Sequence, residues 1–391
     1  MPDRASSLSA LVSIVPPIYL ITLNTLLVQG AHIGSRVVAS LFALQLGASP
    51  FTIGLLIGVY AVFPLILGVY SGRISDRYGA RRPMMAGILL LALGLVLPVL
   101  WPTLPMLFGS AVLIGTGFVF FNVSNQTLAG ALGTPEQRTR NFATLGLGYA
   151  SGHLAGPVIA GYTIDYLGYA YGYLALAAFT AVPVVMIARE KRLDVSIGKH
   201  ATQRRNTLEL LKAPLLRRAI VVSGLITTGW DLFGFYVPIY GHSIGLSAST
   251  IGNILGAFAI ATFIVRVLLP RLTRRFGIEP VLAVAALAAA VLFVPFPLVE
   301  NVPLLFLLAF GIGFALGCSQ PLTLNLAYNY SPPGRSGEVT GLRLTINNIT
   351  HIAVPVAAGG LATALGVGPV FWTSAVLLTI GGWLTRKRSP S

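Results

Sequence analysis

Charge is scarce in this sequence, and its scarcity limits the folds open to the chain. Only 9% of the 391 residues are Asp, Glu, Lys or Arg, and 55% are hydrophobic. A soluble domain carries roughly 25% charged residues, so water is the wrong solvent for most of this surface. A bilayer core about 30 Å thick needs roughly 20 apolar residues per helical crossing. The expected fold is therefore all-α and membrane-integral. Twelve spans are expected near 16–46, 51–71, 83–101, 105–128, 142–164 and 170–188, then 219–243, 249–270, 280–298, 303–327, 341–363 and 369–385. Little chain is left over for a soluble domain. Glycine and proline recur inside the spans, which neighbouring helices make tolerable by satisfying the freed backbone groups.

The few charges then orient the spans. With the N-terminus in the cytoplasm, the inner segments hold Arg4, Arg73, Arg77, Arg81, Arg82, Arg138, Arg140, the stretch 189–218, Arg271, Arg274, Arg275, Arg335, Arg386, Lys387 and Arg388. Arg266 and Arg343 are expected at inner helix ends. The outer loops near 47–50, 102–104, 165–169, 244–248, 299–302 and 364–368 contain no Lys or Arg. That is a strong positive-inside bias, and it accounts for the net charge of +15 without a nucleic-acid partner. Both termini are expected in the cytoplasm, and the chain in a bacterial inner (plasma) membrane. No removed leader is expected, since the first residues lack a charged n-region followed by a small-residue cleavage site. The single cysteine, Cys318, stands in an apolar stretch and offers neither a disulfide nor a metal cluster.

The chain also repeats itself. At an offset of 198 residues Gly54 falls on Gly252, Pro105 on Pro303, Gly115 on Gly313, and His153, Pro157 and Gly161 on His351, Pro355 and Gly359. Coincident His, Pro and Gly positions point to two parallel six-helix halves, 1–188 and 219–391, joined by a cytoplasmic linker, 189–218. A short amphipathic helix is expected near TLELL in that linker. In transporters built from such repeats the substrate site lies near the midplane between the halves.

Between the second and third spans stands Gly72-Arg73-Ile74-Ser75-Asp76-Arg77-Tyr78-Gly79-Ala80-Arg81-Arg82. Glycine permits a tight turn there, and Asp76 could cap a neighbouring helix N-terminus. The stretch resembles the loop signature G-x-x-x-D-R-x-G-R-R-R of the major facilitator superfamily, departing at Ala80, and the resemblance covers essentially the whole chain. It implies a twelve-helix major facilitator fold of two pseudo-symmetric halves, with Gly72, Asp76, Arg77, Gly79, Arg81 and Arg82 in a gating and packing loop. The second-half copy, Pro270 to Gly277, keeps Arg275 and Gly277 but has Arg274 where Asp76 stands. The fifth span carries Gly148, Gly152, Gly156-Pro157 and Ala160-Gly161. Glycines four apart make a flat face for close helix approach. This is similar to the superfamily's antiporter signature, which accompanies drug or metabolite export in exchange for protons. The fourth span lacks the arginine associated with proton coupling in those exporters, since Ala111 stands in its place ahead of Ile114-Gly115-Thr116-Gly117.

An ionisable side chain deep in a membrane is a functional candidate by default. Two are expected at that depth, Arg36 in the first span and Asp231 in the seventh, forming a charge pair across the central pathway. Thr25, Gln29, His32, Arg36 and Ser40 recur every three or four residues, which places them on one helix face. Lipid would penalise that stripe, so it is expected to face the cavity. Asn122, Asn125, Gln126, Gln320 and Asn325 either bind substrate or serve as interhelical hydrogen-bonding groups. His153 and His351 are proton-linked groups or packing histidines held by hydrogen bonds, for which Asn347 and Asn348 stand near His351. Trp230, Phe235 and Tyr236 form a possible aromatic wall.

The residues and the resemblance together point to a secondary active transporter for a small organic solute. It is expected to act as a monomer by alternating access, with no cofactor and no metal, driven by a proton gradient. Export by antiport leans on the fifth-span signature. Proton-coupled uptake of a small organic anion stays open, carried by Arg36 and the missing fourth-span arginine. A membrane-embedded enzyme lacks the clustered acid, base and nucleophile it would need, and a receptor or scaffold lacks sizeable loops.

Overall fold

The computed structural model describes residues 16–132, 135–190, 207–332 and 336–386. These form thirteen α-helices. The first half contributes α1 (Pro17–Gln45), α2 (Pro50–Tyr78), α3 (Arg81–Leu100), α4 (Leu104–Ala131), α5 (Pro135–Leu167) and α6 (Tyr169–Arg189). The second contributes α7 (Pro214–Ser243), α8 (Ala248–Phe276), α9 (Ile278–Phe293), α10 (Val302–Gly317), α11 (Ser319–Asn329), α12 (Ser336–Leu365) and α13 (Gly368–Arg386). Ten stretches are long and apolar enough to cross a membrane, and α10 with most of α11 counts as one of them. Proline occupies the first turn of α1, α2, α4, α7 and α10, where its missing N–H would have had no helical partner anyway.

The repeat is written into the backbone. Among the described residues six glycines have positive φ, and they form three pairs 198 residues apart: Gly47 with Gly245, Gly79 with Gly277, and Gly168 with Gly366. Each stands in a short turn between two helices, where a Cβ would be strained. Capping follows the same offset. Arg81 donates from Nε to the Ile187 carbonyl at 2.9 Å, closing the last turn of α6. The equivalent carbonyl, Thr385 O at the end of α13, is met at 2.8 Å by Arg218 from the start of α7. Glu279 occupies Arg81's repeat position and lies 3.7 Å from the Arg218 guanidinium. The two halves thus place a cation on the same C-terminal carbonyl, as the helix dipole favours, but draw it from different helices.

Several expected boundaries shift. The stretch from Gly72 is helix rather than loop: α2 continues to Tyr78 and turns only at Gly79-Ala80. No residue before Gly79 breaks the helix, and Ser75 Oγ ties it to Ser124 Oγ of α4 at 2.7 Å. Likewise α8 continues through Arg274 and Arg275 to Phe276. Arg266 and Arg343 therefore stand inside helices, not at their ends. Arg343 is 5% exposed and donates to the Gln320 carbonyl at 3.3 Å. In the linker, TLELLK is a 3-10 helix (Thr207–Lys212), and Pro214 already begins α7, so Arg217 and Arg218 are helical. Arg4, the linker positions 191–206, Arg335, Lys387, Arg388 and the side chains of Asp76 and Arg138 lie outside the described residues.

The halves meet where α2 packs on α12 and α5 on α8. The contact is backbone against backbone at four glycines. A Cβ at Gly54 would strike the Pro355 carbonyl, and one at Gly252 would lie 2.5 Å from the Pro157 carbonyl. Gly359 faces the Pro50 carbonyl, and Gly161 faces that of Ala248. All four sit at the end of the molecule opposite the arginine-rich turns. Hydrogen bonds reinforce the seal there. Thr363 Oγ1 accepts the Phe51 amide at 3.1 Å, while its repeat equivalent, Asp165, accepts the Ala248 and Ser249 amides at 2.9 and 2.7 Å. One α-helix N-terminus is thus capped across the interface by a hydroxyl and the other by a carboxylate. Burial disfavours the charge on Asp165, but hydrogen bonds from the Ser249 side chain and from the Ser249 and Ala248 amides outweigh it and hold the carboxyl below its ordinary value of 3.8.

Two predictions follow from this seal. Gly252→Leu should force the sealed end apart. A single cysteine at Ala61, on the wall of the inter-half cavity, in a Cys318→Ser background should then react faster with a thiol reagent applied from the arginine-poor side. For Asp165 the lowered pKa means that its contribution to the closed end is complete above the ordinary carboxylate range and disappears only as pH falls through the lowered value. Labelling, divided by the rate of the same reagent with free cysteine at each pH, should therefore be flat between about pH 5 and 8, and rise in Asp165→Ala at every pH in that window.

Candidate functional site: a polar cavity between the halves

The site is organised by α1, which is buried over most of its length. Its neighbour α5 approaches it through glycines. A Cβ at Gly152 would lie 2.8 Å from the Leu26 carbonyl, and one at Gly34 would lie 2.8 Å from the Gly156 carbonyl. This closeness brings His153 Nε2 within 3.0 Å of the Gln29 amide nitrogen. The glycines of the fifth span therefore do what flat small-residue faces do: they let two backbones touch. Pro157 and Gly161 belong instead to the seal between the halves.

Gln29, His32 and Arg36 face a cavity of about 490 Å³ lined by both halves. This is within the usual range for small-molecule sites, about 300–1,000 Å³. The stripe is only partly presented to it. Thr25 is buried and accepts the Asn125 amide at 2.8 Å, and Ser40 is buried away from the lining. His32 stacks on Phe118 with ring centroids 4.0 Å apart.

Arg36 and Asp231 both line the cavity, but they do not pair. The carboxylate of Asp231 is held by His351 Nδ1 instead. Asp231 on α7 and His351 on α12 belong to the same half, so packing within that half brings them together, whereas Arg36 reaches the cavity from the other half. The His351 side chain is 30% exposed and that of Asp231 3%. A proton in the cavity thus meets the imidazole before the carboxylate. Asn347 and Asn348 do not supply the bond expected of them: Asn347 accepts from Ser223 at 3.3 Å and Asn348 lines the cavity.

The amides divide. Asn122, Gln126 and Gln320 line the cavity. Gln126 donates to Asn122 Oδ1 at 3.1 Å, and the Tyr149 hydroxyl donates to the same oxygen. Asn125 joins α4 to α1, and Asn325 stands outside the lining. Of the expected aromatic wall only Trp230 faces the cavity, meeting His153 edge-on at 5.9 Å across the two halves. Phe235 and Tyr236 are buried in the second half. Tyr60, Phe118 and Phe258 complete the apolar walls. Arg266, expected at an inner helix end, instead lines the cavity and donates from Nε to the Gly317 carbonyl at 3.2 Å. Its place is legible in the sequence, since no glycine or proline interrupts the chain between Gly256 and Pro270, and Arg266 stands inside that stretch. The arginines of the Gly72 stretch are remote from this lining. Arg81 caps α6, Arg77 lies over the Tyr78 ring at 5.2 Å, and Arg82 is exposed.

Sequence comparison decides the family. The chain matches the Major Facilitator Superfamily over residues 10–352 and again over 219–391. It belongs to that superfamily. Among curated relatives it is similar to an uncharacterised MFS-type transporter, YuxJ, of Bacillus subtilis (strain 168), 23% identical over 85% of this chain and 88% of that one. It is similar to multidrug resistance protein MdtH of Salmonella typhi, 23% identical over 90% and 86%, and of Enterobacter sp. (strain 638), 25% identical over 83% and 80%. Among solved structures it shares its fold with a peptide transporter POT in complex with sulfate, at a TM-score of 0.79, 14% identity and 94% and 93% coverage. A mutant of the nucleoside transporter NupG aligns at 0.74 with 14% identity, over 94% and 98%. The chain is a multi-pass membrane transporter and not an enzyme.

Chemically, the cavity holds one acid–imidazole pair, two arginines, amides and aromatic faces. Removing one partner of the pair tests how tightly it is built. His351→Ala should strand the Asp231 carboxylate and lower stability by an amount on the order of 3–5 kcal/mol, as for other orphaned buried charges. The double variant Asp231→Asn, His351→Gln should lose less. Thermal unfolding in detergent measures both.

Proposed function

We propose that this member of the superfamily is a proton-coupled secondary transporter that exports a small organic solute by alternating access. The observation that carries the reading is the Asp231–His351 pair on the wall of an inter-half cavity. An imidazole that shares a hydrogen bond with a carboxylate offers one nitrogen to that bond and a second through which a proton can pass to or from the cavity. When the pair is protonated its hold on Asp231 changes, and so does the electrostatic field at the cavity, 490 Å³ in volume. Proton and solute would then act on one another through the field of one cavity, as coupled transport requires.

Export is supported by the glycine-rich face of α5 and by similarity to relatives called multidrug resistance proteins. In the orientation expected from the positive-inside bias, the seal through Gly54, Gly161, Gly252 and Gly359 closes the outer end. The cavity would then face the cytoplasm, ready to load an outgoing solute. Rocking would open the seal and close the arginine-rich end, each half moving as a packed unit about the midplane.

In proteoliposomes, Asp231→Asn should abolish flux that depends on a proton gradient while leaving solute counterflow in place. Unaltered coupling in that variant removes Asp231 from the mechanism. Loss of counterflow as well would assign it to solute binding instead.

A further inference from the structure

We infer that the transported solute carries an oxyanion group, a carboxylate or a sulfonate or phosphate, on a flat apolar body, and that Arg36 is the residue that receives it. The inference rests on the reading of this cavity as the transport site, and sharpens it to a substrate class.

The first support is the balance of charge. Arg36 and Arg266 both line the cavity, and Asp231 is the carboxylate they face there. That carboxylate is taken by His351. Arg266 has one of its donors on the Gly317 carbonyl, closing the end of α10. Arg36, half-buried, makes no hydrogen bond or ion pair with any described residue. A guanidinium at membrane depth costs several kcal/mol, so cations there are ordinarily paired. Arg36 has been left open in a cavity where a carboxylate was available to pair with it. A cationic solute would enter a chamber with two arginines and no free acid. An oxyanion would complete the arrangement, since the planar guanidinium offers parallel donors to two oxygens at once.

The second support is shape. His32 lies flat on Phe118, and Trp230 stands edge-on to His153, so aromatic faces from both halves border the same space. At the repeat position of Arg36 the second half has Gly234, around whose would-be Cβ there is open space. The half opposite Arg36 thus leaves room rather than a counter-ion. An anionic head beside Arg36 and a ring among the aromatics would use both features.

The test uses purified full-length protein and four matched probes: naphthoate, naphthalenesulfonate, the neutral methyl ester of naphthoate, and a naphthylmethyl-trimethylammonium cation. Thermal shift gives binding, and proteoliposome flux gives transport. We expect the two oxyanions to stabilise the protein and the ester and cation not to. We expect Arg36→Gln to weaken oxyanion binding at least tenfold and Arg36→Lys to recover part of it. A difference between naphthoate and the sulfonate separates a carboxylate site from one for a tetrahedral oxyanion. Gly234→Leu, which narrows the cavity without touching a charge, should weaken both oxyanions.

Equal binding of the cation or ester, no oxyanion binding at millimolar concentration, or naphthoate binding unchanged in Arg36→Gln would each overturn the inference. Charge-selective binding without flux of either oxyanion would overturn the transport reading and leave the anion site standing. Flux of the cation independent of Arg36 would do the reverse.

Discussion

A polar group inside a bilayer must find a partner in the protein or face water in a cavity, because lipid offers it nothing. Most features of this molecule are answers to that constraint. The described backbone is helical apart from short turns. Hydroxyls of Thr22, Thr25, Thr227 and Thr228 bond back to carbonyls of their own helices. The free carbonyls at helix ends and at the break between α10 and α11 are met by Arg81, Arg218 and Arg266. What is left over, a histidine, an arginine and several amides on α1 and α4, gathers around one cavity. That gathering makes the cavity conspicuous as a site.

The same constraint explains why glycine rather than a polar contact holds the two halves together. Under the proposed alternating access the seal must open, and it cannot then rely on many buried hydrogen bonds, since each would be left unmade when the halves part. Close backbone approach at Gly54, Gly161, Gly252 and Gly359 gains dispersion energy over a small area and can be reformed without strand or helix rearrangement. The two polar latches, at Thr363 and Asp165, are placed at the rim, where water can replace them. Their difference in charge makes two repeats of one design respond differently to their surroundings. Under the proposed export of an oxyanion, an inside-negative potential would add to the driving force. Each charge moved across it is worth roughly 2.3 kcal/mol per 100 mV.

Much of the fold was legible before any coordinates. Gly47, Gly79 and Gly168 with their partners 198 residues on are the turns between helices, and the apolar runs between charged positions are the helices themselves. Boundaries failed where helix continued into polar sequence. Gly72 to Tyr78 looks like a loop by composition, yet nothing in it stops a helix until Gly79. For the same reason Arg266, expected at a helix end, is a cavity residue. Of the site, α1's stripe was readable because spacing on a helix is a local property. The partner of Asp231 was not. His351 lies far along the chain, and its neighbour Asn347 offered an equally plausible bond by sequence alone.

The sequence by itself determined the solvent, the element type, the repeat and the end of the spans at which positive charge collects. Each of these depends on local composition or on one periodicity. Tertiary structure decided which ionisable groups meet. Two helices of one half brought Asp231 to His351 and left Arg36 open, although sequence symmetry suggested that Arg36 and Asp231 would face and neutralise each other. Pairing in a bundle depends on helix rotation and tilt, which shift side chains by several ångströms. Interhelical packing sets those angles through glycines such as Gly34, Gly152 and Gly156, and no single stretch of chain encodes them.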